Sequence, residues 1–209
     1  MRYLYIFFLI LLPSVVFSQG SQKANNYLEK SAAIFENNSG ITTNFTYLEK
    51  DAKSKTNYTF NGELKNKGNK FYLSSPDLKS WFNGKTMWSL MPATEEINIS
   101  EPSSEEIESI NPLSLLRLYK NGYKSHLKKD NSDQSEITLI PDNKDAQWQE
   151  LSVILNKSTN LPIKIELKDK KDKTIVISFK EIKQSANLKD SDFEFNKSDY
   201  PEFEIIDLR

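Results

Sequence analysis

From Ile41 onward the apolar residues of this chain fall mainly on every second position, and that period commits most of it to β-strands. Ile41, Thr43, Phe45 and Tyr47 share one face, and Thr42, Asn44 and Thr46 share the other. Tyr58, Phe60, Gly62 and Leu64 alternate with Thr59, Asn61, Glu63 and Lys65, and Lys67-Gly68-Asn69 then makes a turn before Phe71 and Leu73. Asn83-Gly84 between Leu78–Phe82 and Lys85–Met91 is a strong hairpin signal. Trp88, Leu90, Ile97 and Ile99 continue the apolar rows. The second half is again a meander, with strands expected at Tyr123–Lys128, Glu136–Pro141, Trp148–Leu155, Leu161–Leu167 and Thr174–Ile182, and a last one at Phe203–Ile206. The polar stretches Asn156–Asn160 and Lys168–Lys173 have hairpin length. About ten or eleven sequential antiparallel strands in one sheet coil toward a barrel.

Two segments break the pattern. Lys23–Glu36 carries Tyr27, Leu28, Ala32 and Phe35 at helical spacing and runs into Asn38-Ser39-Gly40, a helix stop. Asn111-Pro112 offers an N-cap and a first-turn proline, and Asn121-Gly122 offers a stop. The helix between them holds Leu113, Leu115, Leu116, Leu118 and Tyr119, which lie on nearly every side of an α-helix. Such a helix is packed on two sides or sits over a hollow. Glu101–Ser109 reads as a polar linker, and Ser191-Asp192-Phe193 as a short helical turn. The expected fold is mainly β: an incomplete antiparallel β-barrel with an N-terminal helix and a helical lid in its concave face. No internal repeat or low-complexity linker divides it, so residues 19–209 are expected to form a single domain.

Residues 1–18 have the form of a secretory signal: Arg2, the apolar run Leu4–Leu12, Pro13, and small residues before a cut at Ser18/Gln19. The run is shorter than the roughly 20 residues a membrane-spanning helix requires. The sequence has no cysteine, which excludes a lipid-bearing cysteine, a disulfide and a thiol nucleophile. The formal charge is −1, with acidic and basic residues mixed throughout, so nucleic acid is not an expected partner. Six N-x-[ST] triplets, at Asn37, Asn44, Asn57, Asn98, Asn156 and Asn196, reflect the richness of the chain in Asn, Ser and Thr. Its one histidine, His126, lies between Lys124 and Lys128 on what reads as an outer strand face. No H-x-x-H or G-x-S-x-G pattern is present, and Glu95-Glu96 and Glu105-Glu106 lack metal-ligand spacing. No enzyme activity, metal or cofactor is expected, although two dispersed carboxylates of a glycosidase would leave no local signature.

Gly62-Glu63-Leu64, Phe71-Tyr72-Leu73, Pro76, Asn83-Gly84-Lys85-Thr86-Met87-Trp88, Pro92 and Asn111-Pro112-Leu113-Ser114-Leu115-Leu116 occur in an order and spacing that resemble the periplasmic outer-membrane lipoprotein carrier (LolA) family. Leu161-Pro162-Ile163 and the Asp190–Phe195 segment extend the resemblance over nearly all of residues 19–209, with Gly62–Leu116 its specific part. One departure stands out. The family places an arginine in the hairpin after G-x-L that hydrogen-bonds to the lid and closes the empty cavity. The matching stretch here, Lys65-Asn66-Lys67-Gly68-Asn69-Lys70, has none. Arginine is a rigid five-donor fork and lysine a flexible point charge, so the lid of this chain is expected to be held differently and to open more easily.

The resemblance implies a monomeric periplasmic carrier that shelters acylated lipoproteins in an apolar cavity and ferries them from the inner to the outer membrane. It implies an inner-membrane lipoprotein-releasing ABC transporter as loading partner, with an outer-membrane receptor as a further candidate. A lipid- or glycolipid-binding protein, or an envelope-stress sensor, on the same fold is the alternative. Each methylene left in water costs about 0.8 kcal/mol, so an acyl chain of about 14 methylenes needs roughly 11 kcal/mol of apolar shelter. The rows Phe45/Tyr47, Phe60/Leu64, Phe71/Leu73, Trp88/Leu90 and Ile97/Ile99 are the expected cavity wall, and Leu113, Leu115, Leu116, Leu118 and Tyr119 the lid.

Overall fold

In a computed structural model of the chain, the described residues are 16–36, 40–51, 53, 56–171, 173–184 and 186–209. Residues 1–15, most of the expected signal peptide, lie outside them, as do residues 37–39, where the stop of the first helix is expected. The helix α1 (Val16–Glu36) begins just ahead of the expected Ser18/Gln19 cut. It buries Ala24, Leu28, Ala32 and Phe35, one stripe along its length.

Twelve strands follow: β1 (Ile41–Asp51), β2 (Thr56–Lys67), β3 (Lys70–Ser74), β4 (Lys79–Phe82), β5 (Met87–Met91), β6 (Glu96–Ser100), β7 (Tyr123–Asp130), β8 (Gln134–Pro141), β9 (Trp148–Asn156), β10 (Pro162–Asp169), β11 (Lys173–Gln184) and β12 (Glu204–Asp207). They make one sheet in the order β12-β6-β5-β4-β3-β2-β1-β11-β10-β9-β8-β7, whose ends do not meet. The sheet is therefore an incomplete barrel. Every pairing is antiparallel but one, β12 lying parallel to β6. That strand returns along the sheet's edge after the long segment from Lys189 to Phe203, which no hairpin could provide.

Register explains one glycine. Phe45 stands opposite Gly62, and a Cβ on Gly62 would come within 2.3 Å of the Phe45 ring. The missing side chain lets Phe45 lie flat across β2 on the sheet's inner face. Next to it Tyr47 stands opposite Phe60, with the rings stacked 4.7 Å apart. In β9, β10 and β11 the alternation is plain: Leu151, Val153, Leu155, Ile165, Leu167, Ile175, Ile177 and Phe179 are buried toward the inner face.

Two findings differ from the sequence reading between β6 and β7. Ser104–Ile110, inside the expected polar linker, is a short helix (α2). Ser103 accepts a hydrogen bond from the Glu106 amide and Glu106 from the Ser103 amide, a capping box that fixes its start. Ser114–Lys120 is a 3-10 helix and not an α-helix. The difference sorts its side chains, because a period of three stacks residues in three rows. Leu113/Leu116/Tyr119 and Leu115/Leu118 form two apolar rows, and Ser114/Arg117/Lys120 the polar one. Leu113, Leu115, Leu116 and Leu118 are all buried, packed between α1 and the inner face of the sheet.

Candidate apolar cavity

The inner face, α1 and the Asn111–Lys120 segment share one apolar core, and that segment splits the space above the sheet into two cavities. The cavity of about 450 Å³ at the sheet's mouth is walled by Phe45, Tyr47, Phe60, Leu73, Trp148, Leu167, Ile175 and Ile177, and roofed by Ile110, Pro112 and Leu115. Its polar groups sit on the rim. Tyr58 donates to Asp77 there, and Tyr47 donates to Glu49 at 2.9 Å. Burial, reinforced by the Glu49 carboxylate, keeps the Tyr47 hydroxyl protonated well above the ordinary tyrosine range. The cavity of about 570 Å³ lies on the other side of the segment, against the last turn of α1 and the β2–β3 and β4–β5 turns. It has an apolar floor of Phe35, Phe71, Phe82 and Leu113, and a polar rim.

Of the ten expected wall residues, Phe45, Tyr47, Phe60 and Leu73 meet at the mouth cavity, and Phe71 lines the second one. Leu64 is wholly buried in the core beneath. Trp88, Leu90, Ile97 and Ile99 are a correction: they occupy the opposite, outer face of the sheet. Leu90 and Ile97 pack with Trp81, Tyr72 and Trp88 under Phe195, Tyr200 and Phe203 of the C-terminal segment, and Ile99 pairs with Trp88 in register. The physical reason lies in β4, where Ser80, Trp81 and Phe82 are all buried, so both faces are apolar and alternation cannot say which is inward. The inward residues of this hairpin are Phe82 and Met87. Sequence reasoning also leaves out Trp148, Leu167, Ile175 and Ile177, half of the mouth's wall, although their period-two signal is as strong. Of the expected lid residues, Leu115 faces the mouth cavity and Leu113 the second one. Leu116 and Leu118 are core, and Tyr119 is half-buried against α1.

Two sets of polar contacts hold the lid. At its start, the Asn111 side-chain amide donates to the Asn66 oxygen at 3.3 Å, and Asn66 in turn donates to the Phe35 carbonyl at the end of α1 at 2.7 Å. Asn111 Oδ1 accepts from the Leu113 amide at 3.1 Å, so the same side chain starts the 3-10 helix. Asn66 and Asn111 are 5% and 6% exposed, which makes these bonds expensive to leave unmade. Asn66 lies in the very stretch that lacks the family's arginine. Two positions beyond Leu64, it points inward, whereas the lysines beside it point outward: Lys65 over the Tyr72 ring, and Lys67 and Lys70 toward Asp190. A carboxamide, and no lysine, joins this hairpin to the lid.

The second set ties the lid's far end to α1. Arg117 bridges Glu36 and Glu29, and Tyr119 and Lys120 also bond Glu29. The Tyr119 hydrogen bond and the Arg117 and Lys120 charges gathered on it hold the Glu29 carboxyl down at about 2. The polar row of the 3-10 helix thus faces two glutamates spaced two turns apart on α1. Elsewhere, His126 is exposed on β7 opposite Thr138. Among the described residues no cluster of three or more His, Asp or Glu could hold a metal ion, and no helix is long and apolar enough to cross a membrane.

Residues 14–171 match the family model described as outer membrane lipoprotein carrier protein LolA. Comparison of the sequence with curated proteins gives no match. An uncharacterized conserved protein from Thermus thermophilus superposes with a TM-score of 0.60 at 10% identity, covering 89% of this chain and 99% of that one. A LolA superfamily protein from Nitrosomonas europaea gives a TM-score of 0.48 at 14% identity, over 82% of this chain and 97% of its own. LprF from Mycobacterium bovis gives 0.42 at 9%, over 81% and 96%. The Thermus likeness bears on the fold alone.

Proposed function

The chain belongs to the outer membrane lipoprotein carrier family, and on that premise we propose that it is an exported, periplasmic carrier of acylated lipoproteins. Residues 1–18 are its signal peptide and residues 19–209 its single carrier domain. The mouth cavity receives the acyl chains, and Phe45, Tyr47, Phe60 and Leu73 form the part of the wall that shelters them. An inner-membrane lipoprotein-releasing ABC transporter loads it, and an outer-membrane receptor is a candidate for unloading it.

The observation that carries this reading is the lid. Its inner row is wholly apolar and its tethers are wholly polar. The ties to Glu29 and Glu36 are in reach of water and can be exchanged for solvent at modest net cost, about 0.5–1.5 kcal/mol per hydrogen bond, while the buried Asn66–Asn111 pair costs more to open. An acyl chain entering the cavity gains on the order of 10 kcal/mol of apolar burial. The acyl chain takes the place of the leucines against the sheet, so cargo can displace the segment, and the emptied carrier closes again by re-burying them.

A fluorescent fatty acid tests the proposal. It should bind the folded protein in the mouth cavity and be displaced by an acylated peptide. If neither binds, the carrier function is wrong for this chain.

A further inference from the structure

The two cavities on either side of the lid segment differ in the polar groups they present. The mouth cavity has a mainly apolar wall with Glu49, Asp77, Glu108 and Lys173 among its polar groups. The second cavity has an apolar floor, but Asn66, Asn69, Asn111, Asn121, Arg117 and Glu36 surround it. The two adjoin: Glu108 lines both, and the end of α2 and the turn from Asn111 to Leu115 lie between them. A ligand that lifted this turn would lie with one end in each.

We infer that the second cavity is a compartment for the neutral, amide-bearing end of an acylated peptide, whose acyl chain lies in the mouth cavity. The inference rests on the carrier function proposed above and adds where the polar end of the cargo goes.

Three observations carry it. First, the second cavity has unspent hydrogen-bonding capacity. Among the described residues, Asn69 uses neither end of its carboxamide, and Asn121 donates to Glu108 at 3.3 Å while its oxygen stays free. Arg117 Nη1, ion-paired with Glu29 at 2.9 Å, has N–H capacity left for a ligand acceptor.

Second, the charge balance selects a neutral acceptor. Arg117 is already matched by Glu29 and Glu36, and Glu108 adds a further carboxyl. Burial, with the charge of Glu105 assisting against the Asn121 hydrogen bond, raises the Glu108 pKa. A phosphate or free carboxylate entering here would meet these acids, whereas an amide or ester carbonyl would not. Third, carboxamides both donate and accept, which matches the paired N–H and C=O of a peptide backbone. An acyl chain alone would use none of these groups.

The test uses the full chain and a fluorescent fatty acid as reporter of the mouth cavity. Competitors are an N-lauroyl tetrapeptide of uncharged residues with an amidated C-terminus, lauramide and dodecyl glucoside. The lauroyl peptide should displace the reporter about tenfold more tightly than lauramide, the effect of two or three added hydrogen bonds. In Asn69→Ala/Asn121→Ala that advantage should vanish while lauramide binds as before. Ser104→Trp, an exposed position at the cavity's edge, should block the peptide end in the same way without touching the core. Equal binding of peptide and lauramide by the unaltered chain overturns the inference, as does an advantage that survives both variants. A preference for dodecyl glucoside assigns the cavity to a sugar and overturns the peptide assignment. If no acyl compound displaces the reporter, the carrier function fails and the inference with it, a result distinct from all the others.

Discussion

The β3–β6 hairpins carry aromatics on both faces, Phe71 and Phe82 inside and Tyr72, Trp81 and Trp88 outside, under unlike covers. On the outer face Trp81 packs edge-on against Phe195 and Tyr200, and Leu90 and Ile97 lie fully covered beneath. The cover is this chain's own C-terminal segment, fixed by β12 pairing with β6 and by Lys79 over the Tyr200 ring. On the inner face the cover is the lid, and it leaves a cavity on each side. Aromatic content alone therefore does not distinguish a closed core from a cavity wall. What differs is the cover: on the outer face a strand and aromatic packing, on the inner face leucines together with polar ties at both ends.

The sharpest way to break this contrast is to disturb one aromatic from each face. Trp81→Ala should cost about 3–5 kcal/mol in denaturant unfolding, as large buried aromatics do, while the folded fraction still binds a fluorescent fatty acid normally. Phe60→Glu should do the reverse, abolishing binding with little loss of stability, because a carboxylate at the mouth can reach water. If Trp81→Ala removes binding from folded protein, the outer face is part of the site and the contrast fails.

A smaller effect is expected at the amide pair. Asn66→Ala removes the partner of the Asn111 amide and of the Phe35 carbonyl, both buried, and should cost about 1–3 kcal/mol. It should also raise fatty-acid affinity, since the lid then closes less firmly. Unchanged affinity would mean that the amide pair stabilises the fold without restraining the lid.

The Arg117 clamp should matter least, and its dependence on pH has a definite sign. The Glu29 carboxyl is held down at about 2, so its contribution is complete above the ordinary glutamate range near 4.5 and is lost only as the pH falls through about 2. Fatty-acid affinity should thus be flat from pH 5 to 8 as far as this clamp is concerned. At 1 M salt, where the screening length is about 3 Å, the half-exposed partners should loosen slightly and affinity should rise less than twofold. A strong pH dependence centred near 6 would point to a different group.

The same physics decides how much of this is legible in the sequence. The strands with one buried face, β1, β2 and β9–β11, announce themselves because period two and a single core leave one consistent reading. β4 and β5 do not, since Trp81 and Phe82 are both buried and the segment that covers Trp81 lies more than 100 residues away. The start of α2 is written in Ser103 and Glu106, a capping box inside a run otherwise too polar to suggest a helix. The lid's leucines look incompatible with one packing face only while a period of 3.6 is assumed; a period of three resolves them. The inward position of Asn66 follows from Leu64 by parity, but its partner Asn111 is 45 residues on, and a long-range amide pair leaves no local pattern. The mouth's second wall, Ile175 and Ile177 with Trp148, can be named from alternation alone. It escapes notice because the aromatics of the first half draw the cavity to themselves.

The central claim is that the lid is a displaceable cover and not a permanent part of the core. Hydrogen exchange of the Leu115–Lys120 amides, with and without saturating acylated peptide, measures this directly. In the empty protein these amides should exchange through local opening, faster than the β9–β11 amides, and the acylated peptide should change their rates severalfold while leaving β9–β11 unaffected. Exchange limited by global unfolding, at the same rate as β9–β11 and unmoved by the peptide, would contradict it.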